Sequence, residues 1–387
     1  MLTVLISDLD LQVVADPLDT WTALEVTLRF NAVGSGTITV PARPEVLAEL
    51  GPGRRITVIR DGQVLISGPI ESPLAAYQRG VGDAGENADP GTVTVAFADD
   101  LAFLAGRLVY PDPSQAAGAQ TTSHYTDTDQ ASTVMLAMVD VQAGPSALAS
   151  RQVPHLVTDA DPGLGATVSV RSRFAPLLDE LRSVAVAGGG LGFRVSQDGT
   201  DLVFTVYQPA DRTRTARFSW GLGNLRSVTV EQSAPQLTHA IVGGQGELEA
   251  REIVERADTD ASDRWWRIEQ WVDSRNEDTT AGLEQSGDEA LAEGAETVRL
   301  AAVTIDTTDL AFGADYGLGD LVTVAPLPDV EVAETVRQVT VLATPAAGEH
   351  VTVLVGSQDA TSDPEWVRLI NQIRRRLGRL ETGTDVA

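Results

Sequence analysis

The 387-residue chain carries 55 acidic side chains against 28 basic ones, a formal charge of −27. This balance excludes a protein that holds nucleic acid through phosphate contacts, because such affinity comes from exchanging counterions for Lys and Arg, and a surface this negative repels phosphate at long range. The absence of cysteine removes disulfides, thiolate metal sites and thiol nucleophiles, and since every basic residue is Arg, Schiff-base and Lys general-base chemistry go with them.

At ~100 to 200 residues per domain the length predicts two to four domains, and 43% hydrophobic residues suffice for ordinary cores. No apolar run reaches the ~18 residues of a membrane span, and the segment from Met1 to Asp8 has no basic region, so neither a span nor a secretory signal is expected.

In chain order, residues 1–110 read as short strands. Leu24–Phe30 alternates apolar and polar, Gly36–Val40 follows a Gly-Ser-Gly turn, and Arg55–Arg60 is joined to Gln63–Ile66 by Asp61-Gly62. Asp-Gly between two apolar runs predicts a tight hairpin, because both turn positions tolerate positive φ. Residues 79–91 read as a loop and Thr92–Phe97 as a further strand, so a small barrel or sandwich is expected.

Residues 111–216 change pattern. Thr128-Asp129 could cap a helix over Ala131–Val139, and Phe174, Leu177, Leu178, Leu181, Val184 and Ala185 recur at helical spacing up to the stop at Gly188-Gly-Gly190. The strands Leu191–Val195 and Leu202–Val206 follow, giving an α/β domain.

From 217 onward strands return, over 217–245 and 297–357. The intervening 246–296 reads as an insertion holding a Trp-rich strand, Arg264–Trp271, and an acidic surface helix, Leu283–Ala295. On a strand, Trp265, Arg267, Glu269 and Trp271 share one face, which suits a subunit interface or a platform for stacking sugars. In residues 358–387, Trp366, Ile370, Ile373, Leu377 and Leu380 fall at steps of 4, 3, 4 and 3, a short heptad seam that serves either a trimeric coiled coil or a helix docked within one subunit.

Motifs for catalysis are missing. His124, His155, His239 and His350 are isolated, Gly-x-Ser-x-Gly is absent, and Gly188–Gly192 follows a helix and precedes a strand, the reverse of a phosphate-binding order. Asp258, Asp260, Ser262 and Glu269 have calcium-loop spacing, but Asp263 stands where the tight turn needs Gly, so a solvated loop is expected. No catalytic residue, metal or cofactor is assigned.

The run Pro52–Ile70 followed by Asp99–Leu108 resembles the N-terminal barrel of siphophage tail-hub proteins, and Asp315–Val324, with Leu-Gly-Asp before a strand, resembles the signature of their second barrel. The resemblance implies an α+β, mainly β fold like the phage baseplate hub: a first barrel over 1–110, an α/β domain over 111–216, and a second barrel from 217–245 and 297–357. It further implies a non-enzymatic virion protein at the distal tail tip, in which a homotrimer forms a ring adapting the sixfold tube to a threefold tip. Its partners would be the distal tail protein ring, the tape-measure protein and tail-tip or fibre proteins, with genomic DNA passing through unbound. The competing expectation is a carbohydrate-binding or carbohydrate-cleaving tail-tip protein stacking sugar on Trp265 and Trp271.

Overall fold

A computed structural model describes residues 2–79, 91–275, 279–327 and 330–356. The chain divides into two compact units. Unit 1 comprises residues 1–218, 304–323 and 333–355, and unit 2 comprises residues 219–303, 324–332 and 356–387.

Unit 1 opens with β1 (Leu2–Asp8), β2 (Ala23–Arg29), β3 (Ser35–Pro41), α1 (Pro44–Glu49), β4 (Arg54–Arg60), β5 (Gln63–Gln78), β6 (Thr92–Ala98) and α2 (Leu101–Ala105). These strands pair in the order β1-β4-β5-β6-β3-β2. The hairpin between β4 and β5 turns on Asp61 and Gly62 at φ 51° and 84°, the positive pair a type I′ turn demands. Alternation does the rest: Ile38 and Val40 of β3 and Val93, Val95 and Phe97 of β6 all point inward. β5 has 16 residues and serves two partners, β4 with its first half and β6 with its second, through register shifts between Ile70 and Ala76. The outer edge of β1 is covered by its own chain, Val14 N donating to Ile6 O and Leu18 N to Val4 O. A strand edge satisfied this way offers no template to another strand.

The α/β segment follows with β7 (Tyr125–Gln130), α3 (Ala131–Gln142), β8 (Leu156–Thr158), β9 (Thr167–Ser172), α4 (Leu177–Ala187), β10 (Gly192–Asp198) and β11 (Asp201–Tyr207). Its core gathers Met135, Met138 and Val139 of α3, Leu177 and Leu181 of α4, and Phe193 and Phe204 of the sheet. Thr128 and Asp129 do not cap α3; they end β7, which pairs with β9. The first amides of α3 are taken instead by backbone carbonyls of the loop before β9, Ala131 N donating to Ala166 O at 3.0 Å and Ser132 N to Leu164 O at 3.1 Å, while the Asp161 carboxylate ties down the Thr133 and Ser132 hydroxyls at 2.6 and 2.7 Å. α4 starts after Pro176, leaving Phe174 outside it at φ 55°. It stops as expected at Gly188, with Gly189 and Gly190 at φ 101° and 82°.

After β12 (Arg217–Ser219), unit 2 contains β13 (Leu225–Ser233), β14 (His239–Gly243), β15 (Ile253–Ala257), α5 (Thr259–Arg264), β16 (Glu269–Asp273), α6 (Thr280–Glu293) and all but the last two residues of β17 (Thr297–Ile305). β14 is central, antiparallel to β15 and parallel to β16. α6 packs Leu283 on Ala240 and Val242 of that sheet, with Leu237, Val254 and Val272 around them.

Last come β18 (Leu321–Leu327), β19 (Val330–Thr344) and β20 (Gly348–Gly356). β19 pairs with β2, from Gln338 opposite Arg29 to Ala343 opposite Leu24, and with β20 on its other side. The sheet of unit 1 thus continues from β2 into β19 and β20. The class is mainly β with several sheets, and among the described residues no strand path closes into a barrel.

Candidate functional site

Three places gather the residues that the sequence singled out. The first is buried in unit 1. Arg55 of β4 is 0% exposed and Asp100, just before α2, 1%. Two Arg55 nitrogens donate to the two Asp100 oxygens at 2.6 and 3.0 Å, and the Ser67 hydroxyl of β5 donates to the same carboxylate at 2.5 Å. A guanidinium cannot shed its proton, so this bidentate pair is what keeps its charge tolerable in the interior. Gly68 follows Ser67, and a Cβ there would lie 2.0 Å from Ala98 O. Arg55, Ser67 and Gly68 lie in the Pro52–Ile70 run and Asp99 and Asp100 open the Asp99–Leu108 run, so the motif that carried the resemblance is one folded lock.

Asp99 belongs to it. Its carboxylate accepts from the amides of Gly34 at 2.6 Å and Leu101 at 3.1 Å. Burial pushes this group up to about 6; the Gly34 amide opposes the shift and the adjacent Asp100 adds to it. An acid whose folded value is raised favours the folded state fully below its unfolded value of 3.8, and loses that advantage as pH rises toward 6. Between pH 4 and 6 the wild type is expected to lose stability from this group while Asp99→Asn does not, a difference in slope readable from urea midpoints across that range.

The second place is the Leu-Gly-Asp segment, also in unit 1. Asp320 accepts from Ala210 N at 2.8 Å and Gly317 N at 2.9 Å, and Tyr316 donates its hydroxyl to Asp306 at 2.5 Å. Gly319 stands at φ 87° beneath the Phe30 ring, which would lie 2.3 Å from a Cβ. The motif is a turn lock, with its carboxylate spent on backbone amides.

The third is the open face of the unit 2 sheet, opposite α6. Trp271 is 48% exposed and Ile253 57% exposed. Trp271 lies across Gly243, where a Cβ would meet the indole at 2.3 Å, and the Arg251 guanidinium sits 5.0 Å from its ring centre. Arg251 donates to the carbonyls of Gly243 and Gly244 at 3.0 Å and to Asp273 at 2.5 Å, so the indole is fixed by a braced cation. Arg267 joins Glu255 and Glu269 on the same face.

Trp265 is not on that face. Residues 259–264 form α5, because Asp258 accepts from Ala261 N at 2.8 Å as an N-cap, and the strand begins only at Glu269. Trp265 ends α5, stacks edge-on against Trp266 at 6.0 Å and bonds to Glu296. Burial works against the Glu296 charge, but hydrogen bonds from Gln232, Trp265 and Arg264 outweigh it and hold the carboxyl below its usual range. The two-ring platform expected of Trp265 and Trp271 is therefore not formed. The same cap accounts for the calcium-like spacing at Asp258; among the described residues no group of three or more His, Asp or Glu is arranged to hold a metal ion. Trp366, Ile370, Ile373, Leu377 and Leu380 lie outside the described residues. Sequence reading missed Arg251, whose signal would have been its place between two glycine carbonyls and an indole that only pairing brings together.

The fold these elements build is that of a phage tail protein. The chain is similar to the 43 kDa tail protein of prophage MuSo2 from Shewanella oneidensis, with a TM-score of 0.52 at 12% identity over 91% of this chain and 98% of that one. A tail protein from Neisseria meningitidis MC58 scores 0.48 at 14% identity, over 92% and 96% of the two chains. The family model of the Siphovirus ReqiPepy6 Gp37-like proteins matches residues 3–357, and the chain belongs to that family. No curated protein matches the chain. The resemblance read from the Pro52–Ile70, Asp99–Leu108 and Asp315–Val324 segments is thereby borne out.

Proposed function

We propose that the protein is a structural, non-enzymatic hub at the distal end of a long phage tail, where three copies form a ring that passes from the sixfold tube to a threefold tip. The observation that carries this reading is family membership across residues 3–357, and the motif carboxylates Asp100 and Asp320 are spent on folding locks. Three copies would triple a formal charge of −27 around a path for DNA, and a negative wall lets a polyanion slide without holding it. The ring would meet the distal tail protein above, the tape-measure protein within and tip or fibre proteins below. The Trp271 face, with its braced indole and charged rim, has the anchor-and-rim character of a protein contact.

Mass measurement in solution tests the reading: three copies are expected, and a monomer at all concentrations would overturn it. Removing residues 362–387, which carry the heptad seam, is expected to leave the fold intact and shift dissociation to higher protein concentration; unchanged association at high dilution would sink the role given to that segment.

A further inference from the structure

Among the described residues, four buried side-chain atoms have no hydrogen-bond partner within the protein: Ser7 Oγ, Arg55 Nε, Arg60 Nε and Thr304 Oγ1. The first two are neighbours. Ser7 of β1 stands directly opposite Arg55 of β4 in the antiparallel register. Residues paired in this way project from the same face of a sheet, with Cβ atoms about 5 Å apart. Ser7 is 3% exposed and Arg55 is fully buried, so bulk solvent serves neither atom. Each gives up the hydration it has in the unfolded chain, which is why folded interiors pair nearly all such groups.

The lock itself explains why Nε is bare. Arg55 meets Asp100 end-on, through Nη1 at 2.6 Å and Nη2 at 3.0 Å. A guanidinium is a planar fork, and its second edge, formed by Nη2 and Nε, lies outside that contact. Gln197 Oε1 stands beside this edge, 3.5 Å from Nη2, and accepts from the Thr57 hydroxyl at 3.3 Å. Ser67 Oγ is committed to Asp100. In this polar layer Ser7 Oγ is the oxygen left without a bond, and it is beyond hydrogen-bond distance of Nε.

We infer that one buried water bridges Arg55 Nε and Ser7 Oγ. It accepts from the guanidinium and donates to the hydroxyl, with Gln197 Oε1 beside the same edge as an acceptor for its second proton. Charge selects a neutral ligand. Asp100 already balances Arg55, so an anion would bring an uncompensated charge into the interior, and a cation would face an N–H donor. Water is the smallest neutral molecule that both donates and accepts, and buried waters typically make about three hydrogen bonds to groups of this kind. The bridge ties β1 to the Arg55–Asp100 lock. It lies within one copy and does not depend on the proposed ring.

The test is a crystal structure of the full-length protein at a resolution that shows ordered water, joined to thermal unfolding of the wild type and Ser7→Ala. A water peak about 2.7 to 3.2 Å from both Arg55 Nε and Ser7 Oγ is expected. An empty site, or a protein acceptor bonded to Nε, would overturn the inference. Ser7→Ala removes one oxygen and keeps the strand, so it reads the same question in solution. It strips the water of a partner, and the unfolding midpoint should fall by about 2 °C. A hydroxyl standing bare in a dry interior is a penalty that alanine would relieve, so an unchanged or raised midpoint would count against the bridge. The wild-type crystal decides the matter even where the variant fails to fold.

Discussion

Asp100→Ala is expected to lower stability by about 3 to 5 kcal/mol, the range found when one partner of a buried ion pair is removed. The size follows from what is left behind. Arg55 has 0% exposure and cannot be neutralised, so without Asp100 its charge stays in the interior with Gln197 Oε1, at 3.5 Å, as its remaining polar neighbour. The Phe103 ring, 5.9 Å from the guanidinium carbon, offers weak compensation. Ser67 loses its acceptor as well. Replacing both charges, as Arg55→Met with Asp100→Leu, is expected to recover most of the loss, because a buried pair exchanged for apolar groups of similar volume is often neutral. Urea unfolding of the wild type, the single variant and the double variant checks both statements. A single-variant loss below about 1 kcal/mol, the scale of an exposed pair, would contradict the buried lock.

The lock also explains what could be read in advance. Asp61-Gly62 announced its hairpin because two positive φ angles are a local demand, and Gly188-Gly-Gly190 announced a helix end for the same reason. The Pro52–Ile70 and Asp99–Leu108 runs could be recognised as a pattern, yet the physical link between them, Arg55 to Asp100 across 45 positions, has no local signature. The start of α3 has no local mark, because its first amides are held by the carbonyls of Ala166 and Leu164 from a distant loop, and an apolar run as deeply buried as 131–139 has no polar face to show where it begins. Alternation over 264–271 puts Trp265 and Trp271 on one strand, but it runs across the junction between α5 and β16. The Asp258 cap was the signal that a helix came first. Pairing of β19 with β2 joins residues some 300 positions apart, beyond any window of periodicity.

Gly68→Ala should be the second large effect, about 3 kcal/mol, at the upper end of what overpacking costs. Gly68 has no left-handed φ, so its conformation would suit alanine. The obstacle is what a Cβ would meet: Ala98 O at 2.0 Å, the Asp99 carbonyl carbon at 2.8 Å and the Ala98 carbonyl carbon at 2.9 Å, all backbone atoms with no rotamer to change. Relief requires β5 to withdraw from residues 98–99, at the point where β5 leaves β4 for β6. That movement draws Ser67 from Asp100, so the two lesions share one structure. Combined with Asp100→Ala, the loss should fall short of the sum of the separate losses, as coupled neighbours do. Gly51→Ala provides the control: a Cβ there meets nothing within 4 Å and no unusual φ is required, so stability should move by no more than about 0.5 kcal/mol. Equal urea midpoints for the two alanine variants would show that β5 and the 98–99 backbone do not approach as closely as the lock requires.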